Sequence, residues 1–170
     1  MNTNRQNFEC WYKKPLAMLY PDRDCGFVIL LVAFPLLERY LRHKSGSMDQ
    51  KLKPPFYHEL GKLFPMLKPD IRGRFWDIYR NGLLHQIVPR SRASLSHDKA
   101  VIEFENDGTI SIRPVEFAQR VIEAIESDFA TFEGPSSSAT RLPTVKREPI
   151  TNAGTPQAHR WLLSTNTSNN

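Results

Sequence analysis

Between Phe27 and Gly46 the apolar residues Phe27, Leu30, Leu31, Phe34, Leu37 and Leu41 recur three and four positions apart, which predicts an amphipathic helix with a broad core face. Asp22 or Asp24 stands where a cap is needed, and Gly46 where the helix should stop. Pro35 predicts a bend or a break, because it lacks an N–H and its ring crowds the preceding turn. A polar connector, 47-SMDQKLKPP-55, leads to a shorter helix around 56–64. A second long helix is expected from Asp70 to about Gln86, stopping before Pro89. Its core stripe is Phe75, Trp76, Tyr79, Leu83 and Ile87.

After a polar loop, 89-PRSRASLSHDK-99, the period drops from helical to alternating. Residues 100–113 then read as a β-hairpin, with Ile102 and Phe104 facing Ile110 and Ile112 across an Asn106-Asp107-Gly108 turn. Two strands alone are marginal, so the hairpin must lean on the helices. Pro114 opens a final helix whose stripe is Phe117, Val121, Ile125 and Phe129. From Gly134 to Asn170 the chain is rich in Ser, Thr, Pro and Asn, the composition of a disordered tail, with Trp161-Leu162-Leu163 as its one apolar cluster. The expectation is a mainly α fold: residues 1–133 as a single helical domain with a β-hairpin, then a disordered polar tail over 134–170.

Composition narrows the functional classes. A chain of 170 residues with such a tail has room for one modest core. Its net charge of +5 is a mild basic excess, compatible with an anionic partner such as RNA but short of a dedicated DNA binder. Cys10 and Cys25 have neither CxxC spacing nor a His cluster, so no zinc site or disulfide framework is indicated. The apolar run 26–37 is too short for a membrane span and contains a proline, and the first residues lack the basic-then-apolar order of a signal peptide. A cytoplasmic location and no membrane partner are expected. GxGxxG, P-loop, GxSxG and HExxH motifs are all absent, so nothing calls for a cofactor or a metal.

The chemistry that remains is concentrated in 79-YRNGLLHQ-86. On a regular helical wheel Arg80, Asn81 and His85 fall opposite the core stripe, so the three can act together only if a ligand or a second subunit covers that arc. A histidine there can take a proton from an RNA 2′-hydroxyl or return one to the departing 5′-oxygen, while a neighbouring arginine neutralises charge on the phosphate. Asn81, one turn before His85, can orient the imidazole or donate to phosphate. Spacing alone does not discriminate, since Arg92 and His97 repeat it inside the polar loop. Context does: a long amphipathic helix, Asn directly after Arg, and an apolar helix upstream.

Arg80-Asn81-Gly82-Leu83-Leu84-His85, an Arg followed by a polar residue and then by a His near a helix end, resembles the signature of HEPN domains. Upstream, 33-AFPLLERYLR-42 is similar to the apolar first helix of such domains, with Glu38 as its acidic residue and a candidate to orient Arg80. The resemblance covers about residues 22–88 and leaves the hairpin, last helix and tail as extensions. It implies a helical bundle that dimerises with two Arg–His sets facing one cleft. In active members it implies metal-independent RNA cleavage by toxin-like or defence proteins, with an antitoxin or another protein as partner. The same residues also fit a non-catalytic helical dimerisation or protein-interaction module. Arg80 would then be ion-paired with Asp77 or Glu38, and His85 would interact with the last helix carbonyls. Gly82, costly inside a helix, points to a close backbone approach there by a neighbouring helix or a dimer mate.

Overall fold

The computed structural model describes residues 3–47, 52–86, 89–90 and 92–134. Thr3 opens α1 (Asn4–Phe8) with a capping box: its hydroxyl accepts from Gln6 N at 3.2 Å while Gln6 Oε1 accepts from Thr3 N at 2.8 Å. The helical path continues through a π-turn (Glu9–Lys13) into α2 (Lys14–Leu19), burying Phe8 and Leu16. Hydrophobic period does not announce this run, although the Thr3-x-x-Gln6 spacing does.

Asp22 caps a short 3-10 turn (Arg23–Cys25) rather than the long helix, accepting from Asp24 N at 2.9 Å. The long helix α3 (Gly26–Ser45) follows and passes through Pro35 without breaking. The proline deprives the Leu31 carbonyl of its usual donor. Burial of Leu30, Ala33, Phe34, Leu36 and Leu37 on both sides of it holds the helix together. The first turn departs from expectation: Phe27 is 43% exposed and Leu31 only half-buried, because cover there reaches the Gly26 side alone. A Cβ on Gly26 would lie 3.0 Å from Leu95 Cδ1 and 3.1 Å from Pro114 Cγ. At the other end Gly46 takes φ 62°, and the bonds Gly46 N to His43 O (3.2 Å) and Ser47 N to Arg42 O (3.0 Å) close the helix as a Schellman motif.

After α4 (Pro54–Leu63) the second long helical run starts at Arg72, two residues later than expected, and is not a regular helix. It consists of α5 (Arg72–Trp76), a π-turn (Asp77–Asn81) and α6 (Gly82–Gln86). Phe75, Trp76, Tyr79 and Leu83 are buried as the stripe predicts, and Ile78 joins them. Ile87 lies outside the described residues, as do Met48–Lys51 and the expected tail beyond Gly134, including Trp161-Leu162-Leu163.

The hairpin forms in the expected register: β2 (Ile102–Phe104) and β3 (Ile110–Ile112) run antiparallel, pairing Ile102 with Ile112 and Phe104 with Ile110. The segment expected to be loop supplies a third strand, β1 (Ala93–Leu95), which lies parallel to β3 on its other side. Three residues are too few to show a period, and their pairing partner is remote in the chain. The last helix is α7 (Pro114–Ser127), with Phe117, Val121 and Ile125 buried; Phe129 falls instead in a separate turn of helix, α8 (Phe129–Glu133). The chain is thus mainly helical with a small three-stranded sheet. No helix among the described residues is long and apolar enough to cross a membrane.

One core joins these elements, with α3 packed against α4, α6, α7 and α8. Tyr79 ties the sheet to it: its hydroxyl shares its one proton between the carbonyls of Ser94 (2.8 Å) and Ile110 and accepts from Ser94 N (3.2 Å). Burial raises the phenol's pKa well above its ordinary value near 10. A raised folded-state pKa stabilises the fold below the unfolded value, and that contribution is lost as the pH climbs beyond it. Tyr79→Phe should therefore cost about 1–3 kcal/mol in urea unfolding at pH 8. The gap to wild type should narrow above about pH 10, where the wild-type phenol begins to oppose folding.

Candidate functional site

The π-turn carries the two residues the sequence singled out. Its i→i+5 bonding breaks the regular 100° step, so the arc drawn for Arg80, Asn81 and His85 on an ideal helix does not survive. Arg80 and Asn81 are half-buried, whereas His85, in α6, is exposed. A cleft of about 400 Å³ opens between α3 and this run, and Glu38, Arg42, Tyr57, Asp77, Arg80 and Asn81 all line it. His85 does not. Among the described residues no hydrogen bond or ion pair involves the His85 side chain.

A continuous polar relay crosses the cleft. Glu38 receives Arg42 from its own helix on Oε1 (Nε 2.9 Å, Nη2 2.8 Å) and Arg80 from the facing run on Oε2 (Nε 2.6 Å). Arg80 Nη1 donates to Asn81 Oδ1 at 3.0 Å, Asn81 Nδ2 donates to Asp77 Oδ1 at 3.0 Å, and Asp77 Oδ2 receives Arg90 Nη1 at 2.5 Å. Of the two ion pairs considered for Arg80, the structure forms the one with Glu38. Asp77 is engaged by Asn81 and Arg90 instead.

The relay has two consequences. Glu38 and Arg80 are only 12% and 22% exposed, so their pairing is shielded from solvent in a way that surface ion pairs are not. Arg80 also keeps one nitrogen unused: Nε and Nη1 are occupied by protein, while Nη2 makes no hydrogen bond within the described residues. A guanidinium fixed at two nitrogens, with the third unengaged, can receive an oxyanion oxygen through that nitrogen. Beside it, burial and then the charge of Asp77 raise the Tyr57 phenol above its usual pKa, so it enters the cleft as a neutral hydroxyl. Gly82 is buried at the start of α6.

Sequence reasoning missed Arg42 and Arg90 as members of this site and named Asp77 only as an alternative ion-pair partner of Arg80. The i,i+4 spacings Glu38–Arg42 and Asp77–Asn81 were legible signals for Arg42 and Asp77. Arg90 has none, since what brings it to Asp77 is the bond from its own amide to Ile78 O at 3.0 Å. Among the described residues no three His, Cys, Asp or Glu side chains gather as a metal site would need. Comparison with protein-family models, with curated proteins and with solved structures returns no match.

Proposed function

We propose that this chain is a HEPN-like RNA-binding protein that acts as a dimer and cleaves RNA without a metal. The observation that carries the reading is Arg80 lining a cleft, oriented by Glu38 and Asn81 and with Nη2 left unengaged. In this reading Arg80 holds a phosphodiester oxygen. His85 takes the 2′-hydroxyl proton, O2′ attacks phosphorus to give a 2′,3′-cyclic phosphate as the P–O5′ bond breaks, and the imidazolium returns the proton to the departing 5′-oxygen. Because His85 does not line the cleft of its own chain, the imidazole has to come from a second copy, which makes dimerisation part of the chemistry. A toxin-like role with an antitoxin partner follows the same resemblance.

The test incubates the purified protein with single-stranded RNA in EDTA, beside Arg80→Ala and His85→Ala. Wild type should release fragments with cyclic phosphate ends. Arg80→Ala should weaken RNA binding by roughly tenfold, the loss of one charge-assisted contact. His85→Ala should stop cleavage while RNA still binds. Identical rates in all three proteins, or activity that EDTA removes, would sink cleavage by this site. RNA bound by wild type without cleavage, and a dimer unaffected by His85→Ala, would favour the interaction-module reading, in which the relay serves to fasten α3 to the facing helical run.

A further inference from the structure

Beside the cleft, at the tip of the hairpin, two further arginines converge. Arg74 lies on α5, one helical turn before Asp77, and hydrogen-bonds the Gly108 carbonyl through Nη2. Arg92 immediately precedes β1 and takes φ 68°, a left-handed conformation that side-chain-bearing residues seldom adopt. It is kept there because its carbonyl accepts Ile110 N at 2.9 Å where the parallel pairing begins. The two guanidinium groups meet over Gly108: from the point a Cβ would occupy on that glycine, Arg92 Nη1 is 3.2 Å away and Arg74 Nη2 3.3 Å. Gly108, at φ 82°, supplies both the turn and the clearance.

Both side chains belong to exposed residues, and no carboxylate among the described residues forms an ion pair with either. The neighbouring Asp107 is turned to Thr109, accepting from its amide at 2.8 Å and its hydroxyl at 3.0 Å. Two like charges are therefore held together by backbone geometry, one of them in an unfavourable conformation, and the only counter-charge acting on them among the described residues is that of Asp107 on Arg92, without an ion pair. An oxyanion seated between them would relieve that repulsion and satisfy the forked donors.

We propose that Arg74 and Arg92 form a second phosphate-binding point, which takes a backbone phosphate of an RNA strand that places another of its phosphates at Arg80. This rests on the RNA-binding reading above for its ligand. Arg74 and Arg80 are six residues apart on one helical run, about 9 Å along its axis, a span that a flexible strand can bridge. Gly73, next to Arg74, already lines the cleft. The site uses β1 and the hairpin, which lie outside the Arg–His motif.

The experiment measures binding of a single-stranded RNA to the full chain across a salt series, for wild type, Arg74→Gln/Arg92→Gln and Arg80→Ala. Losing the one phosphate that the pair holds should flatten the slope of log K against log salt by about 0.7. A parallel titration with inorganic phosphate follows the arginine Nε–Hε signals by NMR. If wild type binds RNA and the double variant keeps its slope and affinity, the second phosphate point is wrong and the RNA reading stands. If wild type binds no RNA, that reading falls, and the phosphate titration then decides. Signals from Arg74 and Arg92 that move together, with loss of phosphate affinity in the double variant, sustain a site for free phosphate; signals that stay still overturn it.

Discussion

Replacing Phe34 by alanine should lower the free energy of unfolding by about 3–5 kcal/mol, a large share of the roughly 5–15 kcal/mol such a domain commands. Phe34 is fully buried at the middle of α3, and its ring meets four others: Phe117 at 4.8 Å, Phe75 and Trp76 at 5.9 Å, and Tyr79 stacked at 6.1 Å. Truncation removes the transfer energy of the ring and leaves a cavity whose walls belong to three other helical segments, which cannot all collapse inward. The aromatic pairs add about 0.5–1.5 kcal/mol each beyond burial. Urea unfolding should show a lower midpoint with an unchanged slope. The control is Phe27→Ala, on the same helix but 43% exposed, which should cost well under 1 kcal/mol or so. Similar losses at the two positions would mean that the core is not organised around Phe34.

That contrast also measures how much could be read from the sequence. A 3.6 period identified α3, the aromatic stripe of the second helical run and α7, because each buries a long face against several neighbours. A period of two, with Asn106-Asp107-Gly108, placed β2 and β3 in register, because a hairpin is local and its turn residues are chemically distinctive. Phe27 misled, since periodicity marks a face and not where along that face the cover ends. The strand β1 escaped because parallel pairing depends on a partner distant in sequence.

The candidate site shows the same division. Arg80, Asn81 and Glu38 were legible as residue types in a pattern, and the structure places them in contact. The direction in which they point was not, because a π-turn inserted at Asp77–Asn81 changes helical phase without leaving a mark in the residue types. His85 ends outside the cleft its spacing seemed to share. The relay partner Arg90 and the Arg74–Arg92 pair depend on loop geometry, to which no periodic argument applies.

Glu38→Ala is the change expected to act on stability and on the cleft together. Two guanidinium groups, Arg42 at 19% and Arg80 at 22% side-chain exposure, would lose the one carboxylate they share. The pair is largely but not wholly buried, so a cost of about 2–3 kcal/mol is expected, below that of a fully buried pair and above that of a surface bridge. Glu38→Gln keeps the shape and one acceptor and should cost nearer 1 kcal/mol. The two variants separate holding from positioning. If Glu38 aims Arg80 at a phosphate, Glu38→Gln should weaken RNA binding almost as much as Arg80→Ala while the protein remains folded. Combining Glu38→Gln with Arg80→Ala should then add little further loss, because a misaimed guanidinium and an absent one leave the same contact unmade. Full additivity in that cycle, or RNA affinity untouched by Glu38→Gln, would show that Glu38 only fastens α3 to the facing helical run and that Arg80 reaches its ligand without it.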